Sequence, residues 1–259
     1  MSAAQGENHH AGRKQTLFLV LAGVFIGNAL LAELIGGKLF QVATPWHTFT
    51  LSCGIVLWPV VFVFTDIINE YFGRDGVRKM SFLAAAIITY SFVAITAAGA
   101  VPAVSFSPVD DASFSRVFTQ SQWIIVGSIL AFLLAQLLDV TVFWMIRRTT
   151  GHRMLWLRST GSTLFSQLID TFVVGFIGLH LPTYFGREGP NLAEFINAGF
   201  SGYLFKFVIA LSTTPALYVV HRVVDSYLGK TEAETQIEAI AASEHAADAQ
   251  LREAARDPR

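Results

Sequence analysis

Long apolar runs recur along the chain, separated by short segments that carry most of its charge. Six runs reach the length of about 20 residues that a helix needs to cross the hydrocarbon core of a bilayer. Backbone groups inside a membrane must pair internally, so runs of this length predict helices rather than open strands. The predicted spans are residues 16–35, 49–71, 80–101, 122–146, 160–181 and 195–220. The pattern therefore predicts an all-α integral membrane protein, a bundle of six transmembrane helices.

The composition agrees with this class. The chain is 53% hydrophobic and 14% charged, whereas an ordinary soluble domain is about 25% charged. The net charge of −1 gives no general attraction to nucleic acid. Three parts are predicted: a tail over residues 1–15, a six-helix transmembrane domain over 16–225, and an Ala- and Glu-rich tail over 226–259. The last part is expected to be either a solvated helix or disordered, with its charges facing solvent.

The distribution of Lys and Arg between the loops predicts the orientation of the bundle. Counted over alternate loops, one side carries Arg13, Lys14, Arg74, Arg78, Lys79, Arg147, Arg148, Arg153, Arg158, Arg222 and Lys230. The other side carries Lys38, Arg116 and Arg187. Both termini are therefore predicted to be cytosolic, in a multi-pass protein of the inner membrane.

Ionisable residues inside the predicted spans are the main candidates for function, since each costs at least a few kcal/mol there. They are Glu33, Asp66, Glu70, Asp139, Asp170 and Lys206. Lys206 is a candidate counter-ion for Asp170, and a purely structural ion pair between two helices is the competing interpretation. One Lys cannot neutralise five carboxylates. Some of the acids are therefore expected to be protonated, solvated in a cavity, or turned toward a ligand that is cationic or rich in hydrogen-bond donors.

Helical spacing groups these acids with other polar side chains. Asp66 and Glu70 are four residues apart and share one helix face, with Asn69 close to it. The fourth and fifth spans each carry a Gln three residues before an Asp, and Ser166 lies on the same face of the fifth span. These two pairs are Gln136 with Asp139 and Gln167 with Asp170. The predicted substrate site combines Asp66, Asn69, Glu70, Gln136, Asp139, Ser166, Gln167, Asp170 and Lys206.

Several catalytic and cofactor motifs are absent from the sequence. There is no GxxxxGK[ST] phosphate loop, no HExxH metal motif and no GxSxG elbow, and no cofactor or metal is expected. Cys53 is the single cysteine, which excludes an intrachain disulfide and a cysteine-based metal site. The segment DGVRK at 75–79 is similar to part of a lipid-head-group transferase signature, but the further downstream acids that this chemistry needs are missing. A membrane enzyme remains the weaker alternative.

Two stretches carry a family likeness: VFVFTDIINEYFGRDGVRKM at 61–80, and residues 133–179, which include AQLLDVTVF and WLRSTGSTLFSQLIDT. Together they resemble the queuosine precursor transporter family, also described as vitamin uptake transporters. The resemblance extends over nearly all six spans and omits the two tails. It implies uptake of 7-cyano-7-deazaguanine or 7-aminomethyl-7-deazaguanine across a bacterial inner membrane. The residues that match its motifs are Asp66, Asn69, Glu70, Gln136, Asp139, Arg158, Ser166, Gln167 and Asp170.

The chemistry of these side chains suits such a cargo. A carboxylate accepts hydrogen bonds from the adjacent N–H and NH2 groups of a guanine-like edge. A Gln side chain can hydrogen-bond to the carbonyl and ring nitrogens of the same base. We expect Asp170 and Gln167 to bind the base near the midplane, with Asp139 and Gln136 opposite. Asp66 and Glu70 would govern release or proton transfer on the cytosolic side. Asp170→Asn and Lys206→Ala are each expected to abolish uptake without affecting insertion.

Three questions stay open at this stage. The chain is either a self-sufficient carrier or the substrate-binding subunit of a multi-component, ATP-driven vitamin importer. Its uptake is either facilitated diffusion or coupled to protons or sodium. In the lipid bilayer it is either a single bundle or a homodimer.

Overall fold

A computed structural model of the chain describes residues 3–36, 38–45, 48–118, 122–150, 154–186 and 190–256. The helices are α1 (Ala3–Ile35), α2 (Trp58–Gly99), α3 (Asp111–Phe118), α4 (Gln122–Thr150), α5 (Leu155–Gly175), α6 (Leu192–Leu228) and α7 (Lys230–Arg256). A β-hairpin of β1 (Leu39–Ala43) and β2 (Thr48–Ser52) joins α1 to α2, followed by a 3-10 turn (Cys53–Val56). A π-helical turn (Phe176–His180) and a 3-10 turn (Leu181–Phe185) continue α5.

The exposed and buried surfaces are inverted relative to a soluble protein. Leu19 and Val93 each expose 63% of their surface, whereas Asp66 and Gln167 are buried. Apolar side chains outside and polar side chains inside are what a lipid environment requires. Among the described residues, five stretches are long and apolar enough to cross a membrane: Gly12–Ile35, Trp58–Gly99, Ile125–Thr150, Leu155–Phe185 and Leu192–Leu228. The protein is a multi-pass α-helical membrane protein.

The second predicted span is wrong at its start. Its first residues form β2, which pairs antiparallel with β1 in the register Leu39↔Ser52 to Ala43↔Thr48. The hairpin packs closely on the end of α1, where Ser52 Oγ donates to the carbonyl of Gly36 at 2.7 Å. A Cβ on Gly54 would lie 2.4 Å from the carbonyl oxygen of Ala32, so glycine permits this contact. The helix itself begins at Trp58, and Pro59 lies in its first turn. Proline is tolerated there because backbone N–H groups of the first turn have no partner within the helix.

Helix α2 contains one break, at Gly73, where φ is +67° and ψ is −167°. A straight helix of its 42 residues would extend about 63 Å, roughly twice the hydrocarbon thickness. Residues 68 and 76 would lie about 12 Å apart along such an axis. A Cβ on Gly76 would instead lie 3.5 Å from Ile68 Cγ2. The chain therefore folds back at Gly73, which divides α2 into two arms, residues 58–72 and 74–99.

One end of the bundle, here called the basic end, gathers the Gly73 bend, the end of α4, the start of α5 and the end of α6. It is named for Arg74, Arg147 and Arg158, all of which lie there. The hairpin and the start of α6 lie at the opposite end. Near that end Asp110 precedes α3, and hydrogen bonds from the backbone and side chain of Ser113 lower the pKa of Asp110.

The C-terminal tail is helical and packs across the basic end. Ala233 and Ile237 of α7 are buried, and a Cβ on Gly73 would meet Ile240 at 2.9 Å. Glu244 forms an ion pair with Arg74, with 3.0 Å between Oε2 and Nε. Of the two structures considered for the tail, the helix is the one that forms. Its charges are not all solvated, because Glu244 is used in a contact with the bundle.

Candidate functional site

The predicted site residues come together inside the bundle, although they belong to four helices. We describe them as three layers along the bundle axis. The upper layer comprises Glu33, Ser128, Asp170 and Lys206. The middle layer comprises Asp66, Gln136, Asp139, Ser159, Ser166 and Gln167. The lower layer, toward the basic end, comprises Asn69, Glu70, Trp144, Arg147 and Arg158.

The upper layer contains the ion pair that the sequence suggested. Lys206 Nζ of α6 lies 2.8 Å from Asp170 Oδ2 of α5, and both side chains are largely buried. Lys206 also lies 5.9 Å from the centre of the Trp58 ring, a cation–π distance. Ser128 Oγ donates to Glu33. Glu33 also lies close enough to Asp170 and Lys206 to interact electrostatically with both. This layer therefore joins α5 to α6 through an ion pair and α1 to α4 through a hydrogen bond.

The middle layer is held by hydroxyl groups. Ser159 Oγ donates to Asp66 Oδ2, and Ser166 Oγ lies 3.3 Å from Asp139 Oδ1. Ser162 and Thr163 also interact with Asp139 through their side chains. Asp66 and Asp139 are close enough to repel each other when both are ionised. Neutral donors thus stabilise the two acids, while the cations occupy the layers above and below.

Three acceptors in the middle layer have no hydrogen-bond partner in the part of the chain that the structure describes. They are Asp66 Oδ1, Gln136 Oε1 and Gln167 Oε1, and all three are buried. In the layer below, Asn69 Nδ2 is a buried donor without a partner there. Most buried polar groups in native proteins are paired, and an unpaired one costs about 1–3 kcal/mol. The middle layer can therefore accept hydrogen bonds from a molecule that presents several N–H donors.

In the lower layer, both oxygens of the Glu70 carboxylate have cationic partners. Glu70 is 2% exposed and forms ion pairs with Arg158 Nη2 at 2.7 Å and Arg147 Nη1 at 3.4 Å. Arg147 Nη2 also donates to the carbonyl of Ile237 in α7. Trp144 Nε1 donates to Asn69 Oδ1 at 2.8 Å, and the Arg147 guanidinium lies 4.6 Å from the Trp144 ring centre. The sequence led us to expect a role for Glu70 in release or proton transfer. In the structure its contacts join three helices.

The space beside Asp66 is small in this conformation. A cavity of about 10 Å³ lies between α2, α5 and α6, lined by Asp66, Ser159, Thr160, Thr163 and Thr214 among others. That volume accommodates about one water molecule, far less than the roughly 300 Å³ of a small ligand site. The helices would therefore have to separate to admit the planar base that the sequence led us to expect. Within the described residues, no group of three His, Cys, Asp or Glu side chains is placed to hold a metal ion.

Several residues at or near the site were not predicted. Arg147 was counted among the loop cations, yet only 4% of it is exposed. A signal was available, because 139, 143 and 147 recur every four residues on one helix face. Ser159 lies beside the matched Arg158 without being singled out. Tyr71 donates from its hydroxyl to Asp225 Oδ1, and no local pattern links these residues.

The sequence can also be compared with known proteins. A family model described as "Putative vitamin uptake transporter" matches residues 52–220, the region that contains most of the three layers. The chain belongs to this family. The family consists of transporters and not enzymes, so the membrane-enzyme alternative is set aside. No solved structure matches the chain.

Three curated relatives are similar over most of their length. A "Probable queuosine precursor transporter" from Bacillus subtilis is 32% identical over 180 residues, 68% of this chain and 73% of the relative. One with the same name from Haemophilus influenzae is 29% identical over 68% of this chain and 71% of its own. A "Queuosine precursor transporter" from Escherichia coli is 26% identical over 75% of this chain and 82% of its own.

Proposed function

We propose that this protein imports queuosine precursors, 7-cyano-7-deazaguanine or 7-aminomethyl-7-deazaguanine, and that the middle layer binds the base. The observation that carries the proposal is the set of buried acceptors without partners: Asp66 Oδ1, Gln136 Oε1 and Gln167 Oε1. A guanine-like edge presents an N–H and an NH2 side by side, which suit a carboxylate and neighbouring amide oxygens. The names of the three relatives support the same class of cargo.

The layers have separate roles in this proposal. Asp66, with Gln136 and Gln167, accepts hydrogen bonds from the base. Asp139 and Ser166 complete the polar wall. Asp170 contacts the cargo with its charge balanced by Lys206 at 2.8 Å. Asn69 and Glu70 hold the lower layer in place. The sequence led us to expect Asp170 as the main acceptor. We now propose Asp66 for this role, because Asp170 already has a cationic partner.

We further propose six transmembrane spans with both termini in the cytosol. The fold-back at Gly73 supports counting the two arms of α2 as separate spans. The basic end would then face the cytosol of a bacterial inner membrane, as the excess of Lys and Arg favours. In a Cys53→Ser background, cysteines placed at Ala43 in the hairpin and at Ser105, both exposed, should react with an impermeant maleimide from the same side of the membrane, and one at Ser243 from the other side. Labelling of Ala43→Cys and Ser105→Cys from opposite sides would contradict six spans.

The transport proposal is tested with purified protein in sealed proteoliposomes. Uptake of a labelled 7-deazaguanine precursor is measured with and without an inward proton gradient and without ATP. Accumulation that rises with the gradient would establish a self-sufficient, proton-coupled carrier. Equilibration that ignores the gradient would establish a facilitator, with the acids acting as ligand contacts.

Two controls make the result specific. Ser212 is an exposed residue on α6, and Ser212→Ala should transport like the parent chain, whereas Asp66→Asn should not. Binding without uptake would favour the rival role, a substrate-binding subunit that needs an ATP-driven partner. If the protein neither binds nor takes up either precursor, the proposed cargo is refuted.

A further inference from the structure

A second void lies below the small cavity along the same seam between α5 and α6. It is a cleft of about 750 Å³ lined by Leu155, Tyr218, His221, Arg222, Asp225, Ser226 and Gly229. The small cavity ends at Leu217 and Thr214 of α6, and the cleft begins at the next residue, Tyr218. On α5, Leu155 lies one turn below Ser159. The two voids therefore follow one another from the middle layer toward the basic end.

The barrier between them consists of a few contacts. Leu217 is 2% exposed, and the hydroxyls of Thr160 and Thr214 are 3.2 Å apart. Immediately beyond them, Pro215 lies inside α6. Proline has no N–H for the carbonyl four residues earlier, which weakens the helix locally and permits a bend. The segment 216–228 can therefore move relative to the upper part of α6.

The lower segment of α6 is fastened to α2 by one polar cluster. The Tyr71 hydroxyl donates to Asp225 Oδ1, and His221 Nδ1 lies 3.0 Å from Asp225 Oδ2. The same hydroxyl is 3.1 Å from His221 Nδ1. Tyr71 is fully buried beside Glu70, whereas the Asp225 and His221 side chains are partly open to the cleft at 28% and 20% exposure.

The cleft has the size and chemistry of a small-molecule site. Its volume falls within the range of about 300–1,000 Å³ for such sites. Tyr218 is 46% exposed and offers an aromatic face to a planar ring. Asp225 offers carboxylate oxygens to N–H donors or to a protonated amine.

We propose that this cleft is the cytosolic release site for a planar, N–H-rich base, and that Tyr71 closes the gate above it by binding Asp225. The inference rests on the proposed function for the identity of the cargo, but not for the gate. On release, the segment 216–228 bends at Pro215, the Thr160–Thr214 contact opens, and the base passes Leu217 into the cleft.

The gate is tested without any cargo. In a Cys53→Ser background, Thr214→Cys reports access to the small cavity through its rate of reaction with a water-soluble maleimide in membrane fragments open on both sides. Tyr71→Phe keeps the buried ring and removes one hydrogen bond to a charged group. The loss should raise the open population, and therefore the labelling rate, by roughly tenfold.

The matched control is Tyr90→Phe, the same change at a residue of α2 that is 72% exposed. It should leave the Thr214→Cys rate unchanged, and a cysteine at Ser105 should react equally fast with or without Tyr71→Phe. An unchanged Thr214→Cys rate in the folded Tyr71→Phe protein would overturn the gate.

The release site is tested with 7-aminomethyl-7-deazaguanine. The compound should slow labelling of Ser226→Cys in the cleft and leave Ser243→Cys on α7 unaffected. Uptake by the parent chain without protection of Ser226→Cys would overturn the release site alone. The parent chain could instead show no uptake while Tyr71→Phe still accelerates labelling of Thr214→Cys. That result would overturn the proposed cargo and leave the gate supported.

Discussion

The middle and lower layers contain the same kinds of residues, acids and amides buried among helices, but they are completed in opposite ways. In the lower layer, Glu70 has two arginine partners. In the middle layer, one carboxylate oxygen of Asp66 accepts a hydrogen bond from Ser159, and the other has no partner among the described residues. Both arrangements cost free energy to bury, yet only the second leaves acceptors available to a ligand.

This difference separates acids with a structural role from candidates for ligand binding within one membrane protein. An intramembrane acid is a functional candidate by default, but an acid with saturated ion pairs has few lone pairs left to offer. The lower layer also joins α2, α4, α5 and α7. It therefore ties four helices together, while the middle layer keeps acceptors that have no partner among the described residues.

The largest expected effect is on stability, through the lower layer. Glu70→Ala leaves Arg147 and Arg158 buried without their carboxylate, which should destabilise the protein by about 3–5 kcal/mol. Thermal unfolding in detergent measures this loss. Glu234→Ala, at an exposed position of α7, is the matched control and should unfold like the parent chain. Equal stability of the two variants would show that the lower layer is not the structural tie.

The next largest effect is on transport. Asp66→Asn keeps the size of the side chain and replaces one acceptor by a donor, so the base edge meets an unfavourable contact. Uptake should fall about 100-fold, about 2.7 kcal/mol, while stability changes by less than about 1 kcal/mol. Initial uptake rates and unfolding midpoints are compared on the same preparation. A loss of stability as large as that of Glu70→Ala would erase the distinction between the layers.

A smaller effect sharpens the comparison. Gln167→Leu removes a buried acceptor without a partner, so the unliganded protein should be as stable as the parent chain or more stable. Uptake should nevertheless fall about tenfold, since one hydrogen bond to the base is lost. Opposite signs for stability and transport are the signature of a ligand contact. A fall in both would indicate a structural role for Gln167.

The smallest effect is expected at the edge of the basic end. Glu244→Ala removes the ion pair with Arg74, whose side chains are 15% and 21% exposed. Such pairs contribute about 0–1 kcal/mol, so stability should fall by less than about 1 kcal/mol. Uptake should be unchanged, because the pair lies outside the three layers. A tenfold loss of uptake would assign α7 a direct part in transport.

The sequence predicted the class of protein and most of its candidate site. Apolar runs identified the membrane-spanning helices because a bilayer imposes a minimum length on them. The intramembrane acids stood out because nothing in hydrocarbon compensates a charge. Helical spacing was enough to place Asp66 with Asn69 and Glu70, and Ser166 with Asp170, on shared faces.

Other features required the tertiary structure. A window of apolar residues cannot distinguish β2 from the start of a helix, because the hairpin depends on pairing with β1. The sequence also left the tail as either a solvated helix or a disordered segment, whereas Ile237 and Gln236 of α7 contact the bundle. In both cases the deciding partner lies outside the local segment.

The same reason separates the two classes of buried acid. Glu70 meets its arginines 77 and 88 positions later in the chain, and Tyr71 meets Asp225 after 154 positions. Spacing within one helix determines which side chains share a face, and the sequence carries that information directly. Which faces meet, and therefore which acids are already paired and which remain open to a cargo, depends on the packing of all the helices together.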